Sequence, residues 1–292
     1  MVNEKKNNSK QATKKTIVLA LPSFADMFGS YYAIEIMKGV GKVIEGSEFD
    51  LQLHMFDPDT EEDVIRKNLD SFLNLSGVLF ADINSNIKII SMIKQTKLPY
   101  VIMNNIFLDD QTNCIGIDNK AAAKGAVGYL IKLGHSKVAT ITGNMKTQSA
   151  EMRLEGYKEA LAAAKIKENP EYIVNGAYNR EKAQEAMAKL INEKPRPTAV
   201  FCASDLMAFG AIMMALREDI KVPEDISVVG FDNSPIAALG HVTITTVNQP
   251  LSDMGAIATC ALIDIINGKR KQPFKQILPT TLIMGSSCSK LV

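Results

Sequence analysis

The chain has 292 residues, 46% hydrophobic and 22% charged, with a formal net charge of +1. That length suits one large domain or two modest ones, and the composition is that of an ordinary globule. Near-neutral charge excludes a chain that grips DNA or membrane by bulk electrostatics, and no apolar run is long enough to span a bilayer.

Residues 1–15, MVNEKKNNSKQATKK, carry five lysines against one glutamate and no hydrophobic periodicity, so a disordered basic leader is predicted. Thr16 to Leu21 is a continuous apolar run, followed by helical spacing from Tyr32 to Ile44. Asp50 to Phe56 reads as a strand, Glu61 to Leu75 as a helix, Gly77 to Ala81 as a strand, Ile87 to Gln95 as a helix and Tyr100 to Met103 as a strand. The alternation then restarts. A helix from Ala121 to Leu133 closes on Gly134, and Lys137 to Thr142 is a strand. Ser149 is placed to cap a helix that runs to about Lys165. Tyr172 to Val174 reads as a strand, Arg180 to Asn192 as a helix, Ala199 to Ala203 as a strand and Leu206 to Arg217 as a helix. Ile226 to Gly230 and Thr243 to Val247 are strands, Leu251 to Ile266 is a helix, and Gln276 to Met284 is a closing strand. Roughly ten βα units exceed one comfortable sheet, so the predicted fold is α/β with two doubly wound parallel-sheet lobes and a ligand cleft between them.

Two of these strands end in polar residues, Ser204-Asp205 and Phe231-Asp232. Ligands of open parallel sheets bind beyond the carboxyl ends of the strands, so Ser204, Asp205 and Asp232 are expected at a crevice, with Asp205 also placed to cap the helix that follows. Arg153 lies four positions after Ser149, on the same helix face, where a guanidinium can fork onto two neighbouring oxygens. Cys114, Cys202, Cys260 and Cys288 are far apart, as are His54, His135 and His241. Free thiols are therefore predicted, with no metal and no cofactor. His135 and the methionines Met207, Met213 and Met214 are read as structural or packing residues.

Three motifs carry a family resemblance over about residues 16–290. They are Asp118-Asn119 with Gly125 and YLIKLGHSKVATITG at 129–143, SAEMRLEGYKEAL at 149–161, and the stretch from Ala199 through TTVNQP at 245–250. The chain resembles the effector-binding core of the LacI/GalR-type transcription regulators. The resemblance implies two periplasmic-binding-protein-like lobes with crossovers near Ile117–Asn119, Val247–Gln249 and Phe274–Gln276. The amino-terminal lobe would comprise 16–117 plus 249–274, and the carboxyl-terminal lobe 118–248 plus 275–292. It further implies a non-enzymatic sensor that dimerises side by side and reaches DNA only through a helix-turn-helix headpiece. Residues 1–15 show no such pattern.

The resemblance implies ligand contacts for Arg153, Asp232, Ser204, Tyr178, Asn104, Gln249 and Ser149, with Phe24 and Tyr31 on the amino-lobe rim. Family members usually carry asparagine at the position of Ser204, and many carry an acidic residue at that of Asn104. Aromatic rims suit a sugar, whose faces are apolar and whose edges are polar. The expected effector is thus a sugar or sugar-like polyol, with a nucleobase or nucleoside as the alternative. A solute receptor for transport or signalling shares the fold, but no export signal is visible, so a cytoplasmic regulator is preferred. No Walker loop, nucleophile elbow or H-E-x-x-H motif points to an enzyme.

Overall fold

The structure is a computed structural model that describes residues 15–23, 30–57, 59–84, 86, 88–107, 109 and 111–291. Apart from Lys15, the predicted leader lies outside these residues. The first lobe is built from β1 (Lys15–Pro22), α1 (Tyr31–Glu45), β2 (Phe49–Phe56), α2 (Glu62–Ser71), β3 (Gly77–Phe80), α3 (Lys88–Thr96), β4 (Tyr100–Met103) and β5 (Cys114–Ile117). The chain then crosses into α4 (Asn119–Lys132), β6 (Val138–Thr142), α5 (Gln148–Ala163), β7 (Ile173–Asn175), α6 (Arg180–Asn192), β8 (Ala199–Cys202), α7 (Asp205–Arg217), β9 (Ser227–Asp232) and β10 (Thr245–Asn248). It returns through α8 (Leu251–Ile266) and β11 (Lys275–Leu278) and ends after β12 (Thr281–Ile283).

The strands form two six-stranded sheets, ordered β11-β5-β4-β3-β1-β2 and β12-β10-β9-β8-β6-β7. Every pairing is parallel except that of β10 with β12. Helices cover both faces, which is why β1, β3, β4, β5 and β8 are buried apolar runs rather than alternating ones. Residues 17–21 of β1 are completely buried, as are Val78, Leu79 and Phe80 of β3. In the first lobe α1 and α8 pack closely. A side chain at Gly39 would strike the Ser252 backbone, and one at Gly255 would strike that of Ile36. All four cysteines are free thiols. No helix among the described residues is long and apolar enough to cross a membrane.

Three differences from the sequence reading stand out. β5 was not anticipated: Cys-Ile-Gly-Ile is too short to show a period, and it is a strand because β4 and β11 pair with its two edges. Residues 170–172 form a short 3-10 turn before β7. The predicted closing strand 276–284 is two strands in different sheets. Pro279 lacks an amide hydrogen and ends β11, so the last crossover lies at Pro279-Thr280 and not at 274–276.

Candidate functional site

All three crossovers gather at the carboxyl ends of the strands, so the loops that follow β3, β4, β6, β7, β8 and β9 face the space between the lobes. Six of the nine described non-glycine residues in the left-handed region lie on these loops: Asn84 (φ 52°), Asn104 (64°), Ala177 (49°), Tyr178 (58°), Asp232 (122°) and Asn233 (56°). Such positions cost energy and persist where the surrounding structure fixes them, which is typical of ligand sites.

The carboxyl-lobe wall centres on Arg153, 4% exposed on α5. Its Nε donates to Asn119 Oδ1 (2.9 Å) and its Nη1 to the Ala203 carbonyl (2.6 Å). The guanidinium stacks 3.7 Å from the centre of the Phe231 ring. Asp232 Oδ1 lies 3.8 Å from Arg153 Nη1 and accepts a 2.6 Å hydrogen bond from Gln249 Nε2. Tyr178 hydrogen-bonds through its hydroxyl to Ser149 Oγ (3.1 Å). Its ring occupies the space that a side chain on Gly143 would fill, so glycine there seats the tyrosine.

Two capping expectations are corrected. The cap of α5 is Thr147, whose hydroxyl accepts from the Ala150 amide, and Ser149 sits one residue inside the helix. Ser204, not Asp205, caps α7 by accepting from the Met207 amide (3.3 Å). Asp205 is wholly buried, and its Oδ2 accepts from Ser234 N and Oγ while its Oδ1 accepts from Thr246 Oγ1. These bonds fix the turn after β9. His135 is likewise structural, bridging Thr198 Oγ1 and the Ser289 carbonyl.

The amino-lobe wall centres on a pair that sequence reasoning half missed. Asn104 Nδ2 donates to Asp82 Oδ2 (2.8 Å), and the Asn84 amide donates to Asp82 Oδ1 (2.7 Å). Asp82 is buried after β3. Its signal in the sequence was the pattern already used elsewhere, an acid at the end of an apolar strand. Tyr31 begins α1 and reaches across the cleft, its hydroxyl donating to the Asn233 carbonyl (3.4 Å). Tyr32 donates to the Ala81 carbonyl. Phe24 lies outside the described residues. The lobes also meet where Gln148 pairs with both backbone groups of Ile106 (2.8 and 3.0 Å), and at the rim, where Lys146 lies 3.2 Å from Asp59.

Among the described residues, three side-chain polar atoms are buried without a hydrogen-bond partner, and two of them belong to this site: Asn104 Oδ1 and Gln249 Oε1. Each belongs to an amide whose NH2 end is held by a carboxylate, so each turns an acceptor away from its anchor. An unpaired buried acceptor is costly. The site therefore has standing demand for donors on both walls.

Residues 127–288 match the periplasmic binding protein-like domain family. The chain is 31% identical over 291 residues to the HTH-type transcriptional repressor CytR of Escherichia coli strain K12, covering 97% of this chain and 82% of CytR. It belongs to the LacI family of transcription regulators. The structure of a LacI-type putative regulator from Bacillus cereus subsp. cytotoxis NVH 391-98 superposes with a TM-score of 0.88 at 25% identity, covering 96% of this chain and 100% of that one. A structure titled as the complex of the regulator CelR with cellobiose superposes with a TM-score of 0.85 at 28% identity, covering 93% and 84%. This LacI-family chain therefore corresponds to the effector-sensing core of a regulator, not to an enzyme.

The electrostatics of the LacI-family cleft follow from burial. Asp82 is pushed up to about 6 by burial, against the pull of Asn104 and of the Asn84 amide. Burial also raises Asp232; Arg153 opposes that rise and Asp205 adds to it. Asp205 is raised by burial, against its bonds to Thr246 and Ser234. Tyr31 is pushed up to about 12 by burial, then by Glu35, Asp232 and Asp205. At neutral pH its hydroxyl remains a donor.

Proposed function

We propose that this chain senses a small hydroxylated effector, a sugar or sugar-like polyol, held between the two lobes. The observation that carries the reading is the pair of unpartnered buried acceptors, Asn104 Oδ1 and Gln249 Oε1, one after a first-lobe strand and one at the second crossover. A polyol offers hydroxyl donors around its rim and apolar ring faces to Tyr31 and Tyr178. Arg153, Asp232, Gln249, Ser149, Ser204 and Tyr178 form one wall and Asn104 with Tyr31 the other, with Phe24 assigned to the same rim from the sequence. Ser204 spends its hydroxyl on the helix cap and is the weakest of these contacts. The cellobiose complex of CelR is consistent with this ligand class.

Signalling follows from where the contacts lie. A ligand that bridges both walls binds the closed arrangement better than an open one, and only that difference shifts lobe angle. The shift passes to DNA through a headpiece joined to the core, in the cytoplasm where operator DNA lies. Dimerisation relays it. Leu206, Met213 and Leu216 line one face of α7 with partly exposed Phe209 between them, and all three are at least 40% exposed. This apolar stripe, near the 76% exposed Leu239, is the proposed side-by-side contact.

A thermal-shift screen of sugars, sugar phosphates, polyols, nucleobases and nucleosides tests the reading. A ligand at a hundred times its Kd adds about 2.7 kcal/mol, a shift of a few degrees in a protein of this size. A polyol hit supports the proposal. Stabilisation by nucleobases or nucleosides alone replaces the sugar with the alternative effector.

A further inference from the structure

The donor demand of the cleft carries a charge, and that charge narrows the ligand. Each wall holds the same device. On one, Asp82 holds the NH2 end of Asn104; on the other, Asp232 holds that of Gln249. In both, the amide nitrogen is spent on the carboxylate, and the amide oxygen is buried without a partner. Each pair therefore presents only acceptors: a carboxylate and a carbonyl.

The compensating positive charge is short. Arg153 is the only arginine or lysine among the described buried residues. Its Nε and Nη1 donate to Asn119 Oδ1 and the Ala203 carbonyl, and its plane stacks on the face of Phe231. It lies 3.8 Å from Asp232, which it partly balances. No salt bridge to Asp82 is found among the described residues, and its bonds come from neutral amides. Lys146, the other cation at the lobe junction, is paired with Asp59 at the rim, with both groups solvated. A buried carboxylate without a cation is unfavourable, and neutral donors offset only part of that cost.

We infer that the effector is a hydroxylated amine, an amino sugar in its simplest form, whose ammonium group sits against the Asp82–Asn104 pair. The inference rests on the proposed sugar-sensing cleft and adds the charge of the ligand. An ammonium group has three donors and no acceptor. It reaches the Asp82 carboxylate and the free Asn104 oxygen together, which a hydroxyl with its single proton cannot do. The remaining hydroxyls serve Gln249 and Asp232. A sugar acid or sugar phosphate would set an anion against two carboxylates and two carbonyl oxygens with a single guanidinium to offset them, and is disfavoured.

Titration calorimetry with matched series separates these outcomes. Glucose, galactose and mannose are each compared with their 2-amino-2-deoxy, uronate and 6-phosphate forms. The amine is expected to bind at least about tenfold more tightly than its parent in one series, equivalent to about 1.4 kcal/mol, and the anionic forms not to bind. Tightest binding by a parent sugar or an anionic form overturns the amine assignment and leaves the sugar-sensing cleft standing. Silence across all three series overturns both. In the responding series, Asp82→Asn should bring the amine-to-parent ratio down towards one, with thermal denaturation confirming that the variant folds. Asp232→Asn should reduce the ratio less, because Arg153 already partners that carboxylate. An unchanged ratio in Asp82→Asn, or a larger fall in Asp232→Asn, contradicts the placement.

Discussion

Asp82 shows how one residue can set both the stability and the chemistry of this cleft. Its pKa is raised by burial from the ordinary carboxylate range to about 6. Between about pH 4 and 6 the folded chain therefore binds a proton that the unfolded chain has released, and its contribution to stability falls as pH rises through that window. His54 and His135 act in the opposite sense. Burial lowers both, so acidification below about 6.5 costs stability as the unfolded chain takes up their protons. The Asp82 contribution is isolated by difference. The melting temperature of the wild type minus that of Asp82→Asn should increase as pH falls from 7 to 5. A constant difference would show that Asp82 is not a strained acid. This residue also marks a limit of the sequence. An acid at a strand end is visible there, but its partnership with Asn104 requires the adjacent pairing of β3 and β4.

At the scale of elements, helices and strands were legible where their patterns were long. α6 and α8 have the boundaries expected from the sequence, Arg180–Asn192 and Leu251–Ile266. β5 was not legible, because four residues carry no period and its pairing partners lie elsewhere in the chain. The caps at Thr147 and Ser204 were each misassigned by a residue or two. Two neighbouring polar residues compete for each cap, and only backbone geometry decides between them. Arg153 was found from its helix, yet its four neighbours come from other elements: Asn119, Ala203, Phe231 and Asp232. The loop after β7 gives a test at this scale. Gly143→Val places a side chain where the Tyr178 ring lies, forcing the ring off Ser149. Effector affinity should fall by about tenfold or more, while the melting temperature changes by only a few degrees. Unchanged affinity would show that Tyr178 does not line the bound ligand.

For the whole molecule, the sequence pattern called for two sheets, but the order of their strands and the position of the last chain crossing needed the fold. Across the cleft the described residues place Gln148–Ile106, Tyr31–Asn233 and Lys146–Asp59 in polar contact, while one buried apolar cluster runs through both lobes. Polar contacts of that kind hold the cleft's two walls in register without fixing them, as ligand-driven closure requires. The proposed relay to DNA adds a dimer. Leu216→Glu places a charge in the apolar stripe of α7 and should shift the chain to monomer in sedimentation velocity without lowering its melting temperature by more than a few degrees. A dimer that survives the substitution would place the interface elsewhere.

The central claim is that the space between Arg153, Asp232 and Asn104 binds the effector. Titration calorimetry of the ligand found by screening, against the wild type, Arg153→Ala and Asp232→Ala, tests it most directly. Removing Arg153 also leaves the half-buried Asp232 beside no cation, which lowers stability when that carboxylate is ionised. Each variant is therefore titrated only after circular dichroism shows it folded. The account predicts that folded Arg153→Ala and Asp232→Ala each lose about a hundredfold or more in affinity. Wild-type affinity in both folded variants would contradict it and move the effector out of this cleft.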